Sequence, residues 1–395
     1  QASATSTRTT STATPDVTAT ATSQVIPCTV GQKPASTLVN EDYPLYPPIR
    51  PARYPQLYGI SMVSADEGWA VGGMYSGLLI GANGIAPARQ GFILHYSGGK
   101  WTPVSSPTSH ALEAIQMISP DEGWAVGDNV TILHYAQGHW SLVQPRLTNP
   151  ANSRNDRLMS LSMASAKEGW AVGDLGITLH YTGGRWVEEN QISVPNLYAV
   201  SMVSAKDGWA GGLGFGARAA LFHYQSGVWE DATFQMDQST TQAHHVGSIS
   251  MVSATQGWAV AGGNIWQYCQ GKWLPQATGP GNYSYGPAIT VSMVSATEGW
   301  AFSSELWHYN AGQWAGVKIP RPVLGTPKPG FSFPFTGSGL QALSMISPTE
   351  GWAIGNELTD LGTTSQGVLE QQGAGYFILH YQNGAWTLAA TDLGQ

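Results

Sequence analysis

The side chains best suited to chemistry recur in step along the chain. Six His-Tyr pairs stand at His95–Tyr96, His134–Tyr135, His180–Tyr181, His223–Tyr224, His308–Tyr309 and His380–Tyr381, with Gln267–Tyr268 in the remaining place. Imidazole is the commonest metal ligand, so a shared metal centre is the first chemistry to weigh. Spacing argues against it. Each pair closes a short apolar run that reads as a third strand, and strands lie about 4.8 Å apart, which sets the histidines well off any central axis. Copies in neighbouring repeats are then on the order of 10 Å apart, against about 2 Å for a metal–nitrogen bond. The expectation is a structural hydrogen bond at each histidine. His244–His245 lies in a linking segment without a nearby Cys or spaced carboxylates.

The carboxylates Asp66, Glu67, Asp121, Glu122, Glu168, Asp207, Glu298 and Glu350 also recur, in turns. Glycoside hydrolysis needs two acids facing one bond, and residues repeated around a ring do not converge. Asp128 and Asp174 occupy an equivalent place in only two repeats. There is no G-x-S-x-G, P-loop or dinucleotide fingerprint. The expectation is no catalytic residue, no metal site and no cofactor. Cys28 and Cys269 are far apart in sequence and are expected to pair in an oxidising compartment.

The frame that carries these residues is a sentence repeated seven times. A Gly-Trp pair marks each copy, at Trp69, Trp124, Trp170, Trp209, Trp258, Trp300 and Trp352. Seven residues ahead of each stands a Met, from Met62 to Met345, and a Ser follows each Met by two, from Ser64 to Ser347. A Gly-containing turn after the His-Tyr run leads to a second Trp: Trp101, Trp140, Trp186, Trp229, Trp273, Trp314 and Trp386. Each copy holds four short runs rich in Val, Ile, Tyr and Trp, broken by turn residues, which read as strands. Helical periodicity is absent. Four antiparallel strands repeated radially make a β-propeller. The predicted fold is therefore all-β: a seven-bladed propeller over 57–395, with blades near 57–108, 111–150, 158–193, 196–236, 247–278, 289–318 and 340–391. The Gly before each Trp is expected to relieve a tight turn or admit a neighbouring backbone, and the Ser to cap a turn.

Ahead of the propeller lie a Ser/Thr-rich tail, 1–24, and a Pro-rich extended arm, 25–56. The tail has 13 Ser or Thr among its residues and cannot bury a core. Thr5, Thr7, Thr9, Thr10, Thr12, Thr14, Thr18, Thr20 and Thr22 are candidate O-glycan acceptors, and Asn129 and Asn282 match the N-glycosylation pattern. Val25 and Ile26 open a short apolar run able to add a strand to an exposed edge. Tyr75, Tyr283, Tyr285, Phe331 and Phe333 stand in variable loops as possible sugar platforms. Charged residues are only 11%, and net charge is −8 without a basic cluster, which excludes nucleic acid as the expected partner. No run is apolar enough to span a membrane as a helix. Gln1 is read as a mature N-terminus, and the expected setting is secreted, at the cell surface.

The "GWAVG … ILHY-x-x-G-x-W" sentence resembles the blades of Asp-box (BNR-like) propellers, and most of all those of the photosystem II assembly-factor type, over residues 57–388. That resemblance implies the fold. Sialidases of this shape use an arginine cluster, whereas the 10 Arg here lie outside the blade register. Three functions follow as expectations. The first is a non-enzymatic interaction module that polymerises head to tail through its N-terminal tail or binds another surface protein. The second is a carbohydrate-binding or glycan-processing propeller. The third is an assembly chaperone of an envelope or membrane complex.

Overall fold

The computed structural model describes residues 41–45, 53–76, 79–80, 88–148, 156–189, 191–236, 245–278, 290–303, 305–324, 339–363 and 369–392. Seven antiparallel sheets follow one another along the chain, each built on four strands taken in chain order. Blade three is typical, with strands Leu158–Ser165, Glu168–Gly173, Thr178–Thr182 and Arg185–Glu188. The first strand of every blade touches the first strands of both neighbours, and blade seven meets blade one, so these strands line the centre of a closed ring. The seven-bladed propeller is thus the fold.

Local chemistry makes each hairpin. Between first and second strands the recurring Ser turns the chain: Ser64 Oγ accepts from Asp66 N at 3.2 Å, and Ser119, Ser165, Ser204, Ser253, Ser295 and Ser347 do the same two residues on. Between third and fourth strands, both central residues of the turn are left-handed in every blade, as at Gly183–Gly184 (φ 57 and 79) and Asn383–Gly384 (φ 55 and 79). That is the two-residue turn whose twist matches the flanking strands.

The Gly of each Gly-Trp pair has a different reason from the one expected. None has a positive φ; instead a Cβ there would lie 2.2–2.3 Å from the Sδ of the Met on the adjacent strand, in all seven blades. The methionine thioether folds over a bare backbone, and Gly is required by side-chain packing.

The core lies between blades. Seven clusters of buried side chains each join two neighbours, including the one across the ring closure, where Leu57, Ile60, Met62 and Leu94 pack on Trp352, Ile354 and Ile378. A ring of hydrogen bonds runs alongside. The side chain preceding each Met accepts from the Met N–H of the next blade: Ser61 from Met117, Gln116 from Met163, Ser162 from Met202, Ser201 from Met251, Ser250 from Met293, Ser292 from Met345 and Ser344 from Met62, over 2.7–3.4 Å.

Closure adds contacts found in no other blade among the described residues. Buried Asn356 of blade seven accepts from Leu57 N at 2.9 Å and donates to Leu57 O at 2.8 Å. Leu79–Ile80, inside the insertion of blade one, pairs with Glu370–Gln371 of blade seven. The insertion of blade seven is a long hairpin, Glu350–Thr363 with Leu369–Gln382. Glu41–Leu45 of the arm pairs in parallel with Pro320–Leu324 of the link after blade six. The opening strand of blade one reaches back to Arg53. Among the described residues, no helix is long and apolar enough to cross a membrane.

Candidate protein-interaction surface

The recurring histidines and carboxylates find each other within a blade. His95 Nε2 meets Glu67 Oε1 at 2.5 Å, His223 meets Asp207 at 3.2 Å, and His180, His308 and His380 are bonded to Glu168, Glu298 and Glu350. His134 stands 3.6 Å from Glu122, beyond hydrogen-bond reach. Each imidazole lies flat on the Gly-Trp indole of its own blade at 4.0–4.2 Å. The following Tyr packs on the Gly-Trp indole of the preceding blade, from Trp69–Tyr135 at 4.7 Å to Trp352–Tyr96 at 5.6 Å across the closure. The second Trp meets that same indole edge-on, as in Trp124–Trp186 at 5.5 Å.

These cassettes hold blades together, and a structural hydrogen bond at the histidine is what the structure gives in five blades. Of the acids expected in turns, Glu67, Glu168, Asp207, Glu298 and Glu350 open the second strands and anchor the histidines. Burial pushes the phenols of Tyr96, Tyr135, Tyr181, Tyr224, Tyr268, Tyr309 and Tyr381 above their ordinary value. Fourteen tryptophans have buried indole N–H groups with no hydrogen-bond partner among the described residues, so their role is area and shape. No cluster of three metal-ligating side chains occurs among the described residues. His245 contacts the Tyr198 ring edge-on at 5.0 Å; His244 lies outside the described residues.

A working surface must therefore be sought where blades differ. In a four-stranded blade, the first and third turns open on one face, and the second turn and the link to the next blade open on the other. The first face is built from the repeated Ser and left-handed turns. The second carries every segment that varies in length: the insertions of blades one and seven and all the inter-blade links.

On that second face, blades three and four expose apolar side chains on tightly held backbone. Leu175, in the second turn of blade three, is 57% exposed at φ 55. Phe215, in the matching turn of blade four, is 71% exposed and is followed by left-handed Gly216 and Ala217. Phe234, in the link leaving blade four, is 80% exposed. The same turn in blade five is Gly262–Gly263, left-handed at no steric cost; a side-chain-bearing residue there costs about 1–2 kcal/mol.

The supports are rigid. Leu175 N donates to Pro195 O at 2.8 Å, and Asp174 beside it takes Arg157 Nε at 2.8 Å. Phe234 sits in a single turn, Thr233–Gln235, whose Thr233 Oγ1 accepts from Leu221 N at 3.0 Å. Large apolar groups held out on fixed backbone are the kind of feature a protein partner can cover, which makes this face the candidate surface. Sequence reasoning missed these three; for Leu175 and Phe215 the available signal was a bulky residue in the turn that is Gly262–Gly263 in blade five.

The other expected sites fare differently. Asn129 is exposed at φ 58, while Asn282 and the nine tail threonines lie outside the described residues. So do Val25, Ile26, Cys28, Tyr283, Tyr285, Phe331 and Phe333; Tyr75 lies on the strand Glu67–Ser76. Cys269 is buried and is not a free thiol.

Comparison with known proteins adds a direction. Residues 95–191 match the family model described as photosynthesis system II assembly factor YCF48, a stretch shorter than half the chain. Among solved structures, YCF48 bound to a D1 peptide is similar at 15% identity and TM-score 0.52, over 82% of this chain and 95% of that one. YCF48 from Cyanidioschyzon merolae is similar at 14% identity and TM-score 0.51, over 82% and 97%. The WD40 propeller domain of Doa1 is similar at 9% identity and TM-score 0.53, over 80% and 92%. These structural likenesses show the propeller fold. No curated protein matches. The family match corrects the first functional expectation: it points to assembly factors, and the head-to-tail filament subunit is withdrawn.

Proposed function

We propose that this propeller is a non-enzymatic assembly factor that holds a segment of a client protein on the face bearing Leu175, Phe215 and Phe234. The match of residues 95–191 to the assembly-factor family carries this reading, and the matched stretch includes blade three with Leu175. A propeller of similar shape is described as bound to a peptide, which makes an extended client segment the partner class. Low charge and the absence of a basic cluster fit a client in the envelope or membrane, met outside the cytosol.

The test uses the full chain and a Phe215→Ser/Phe234→Ser variant, both immobilised and exposed to detergent-solubilised envelope fractions. Peptides tiled from any captured subunit are then titrated against each. The reading expects one defined client, an extended apolar peptide from it that binds, and affinity at least about tenfold weaker for the variant, since aromatic anchors dominate such interfaces. Equal capture by both chains, or no client at all, would remove it.

A further inference from the structure

Blade five departs from its neighbours in one coordinated way. Where the other six blades carry an acid and a histidine, blade five carries Gln256 and Gln267. The two changes occur together, so the charged pair is absent as a unit. Gln267 lies on the strand Asn264–Cys269, directly opposite Trp258, in the register held elsewhere by histidine.

Two observations show that something extra covers this spot. Gln267 is 2% exposed, less than any of the six histidines, of which only His223, at 8%, is buried. Its amide nitrogen has no hydrogen-bond partner among the described residues. Cys269, paired in register with Gln256, is buried, whereas Ser97, Thr182, Gln225, Asn310 and Gln382 at the same register are exposed and Ala136 is intermediate. The four strands of blade five are those of every other blade, so the cover comes from outside the repeat. Cys269 is not a free thiol, and Cys28 is the one other cysteine in the chain.

We infer that blade five is the docking site of the chain's own residues 25–31, fixed there by a Cys28–Cys269 disulfide and lying over Gln256 and Gln267. A neutral amide tolerates burial under a covering strand far better than an ion pair does, because a desolvated charge costs several kcal/mol. That explains why this blade alone has exchanged acid and histidine for two glutamines. The apolar run opened by Val25 and Ile26 thus serves its own propeller. Closing the bond passes two electrons and two protons from the thiols to an external disulfide acceptor, as in an oxidising compartment. The inference is independent of the client surface, which lies on other blades.

Peptide mass mapping of the full-length protein without reductant is expected to yield a peptide linked through Cys28 and Cys269. Hydrogen exchange then compares the full-length chain with its Cys28→Ser variant. Faster exchange is expected across Gln256–Cys269 of blade five, with the matching segment Glu298–Asn310 of blade six unchanged. Two free thiols, exchange in blade five untouched by the substitution, or a rise shared by all blades would each overturn the docking site.

Discussion

At the scale of the residue, the recurring Met and Gly behave as one unit. Gly169→Ala would place a methyl 2.3 Å from Met163 Sδ and 3.0 Å from its Cα, so the thioether would have to leave the bare backbone it folds over. Overpacking of this kind costs about 1–3 kcal/mol, so thermal unfolding is expected at lower temperature, and the same change at Gly351 should act alike. Protonation makes a second case. Burial holds the Tyr376 phenol at about 12, against 10.0 when free. Between those values the unfolded chain gives up a proton that the folded chain keeps, so stability falls as pH rises from 10 towards 12. Tyr376→Phe should remove up to about 2 kcal/mol of that alkaline loss, read as a shallower decline in unfolding free energy across the window. The interblade tyrosines of the His-Tyr pairs add losses of the same sign.

At the scale of the element, blade seven differs from its neighbours in how it meets the next. Asn356 satisfies both the N–H and the C=O of Leu57, a buried residue at the start of the ring. Asn356→Ala leaves both groups buried and unpaired, at about 1–3 kcal/mol each. Faster amide exchange at Leu57 and earlier thermal unfolding are expected, with the Ser61–Met117 seam protected as before. Ser201→Ala, which removes one seam bond of 3.0 Å, should cost about 1 kcal/mol and loosen only the junction of blades four and five.

At the scale of the whole molecule, the core is seven seams in a circle, and no blade owns a core of its own. A chain ending at Val317, with six blades, would leave the seam faces of blades one and six open. It is expected to aggregate, seen as loss of the monomer peak in gel filtration, while the full chain unfolds as one ring. The client surface belongs to this scale too. Leu175, Phe215 and Phe234 come from three separate connections that only the ring places on one face.

Much of this architecture is legible in the sequence because it is written seven times. Blade number, the Ser turns, the left-handed Gly turns and the paired tryptophans all rest on local signals that repetition separates from chance. The histidine–carboxylate pairs were half legible. Their types recur, but Glu67 and His95 are 28 residues apart and Glu298 and His308 only 10, so no fixed spacing announces them. Asn356 and Leu57 meet across 299 residues, once, with no second copy to learn from. Exposure is the other thing that tertiary structure alone decided. An apolar side chain in a turn looks the same in sequence whether the fold covers it or holds it out, and at Leu175, Phe215 and Phe234 the folded ring holds it out.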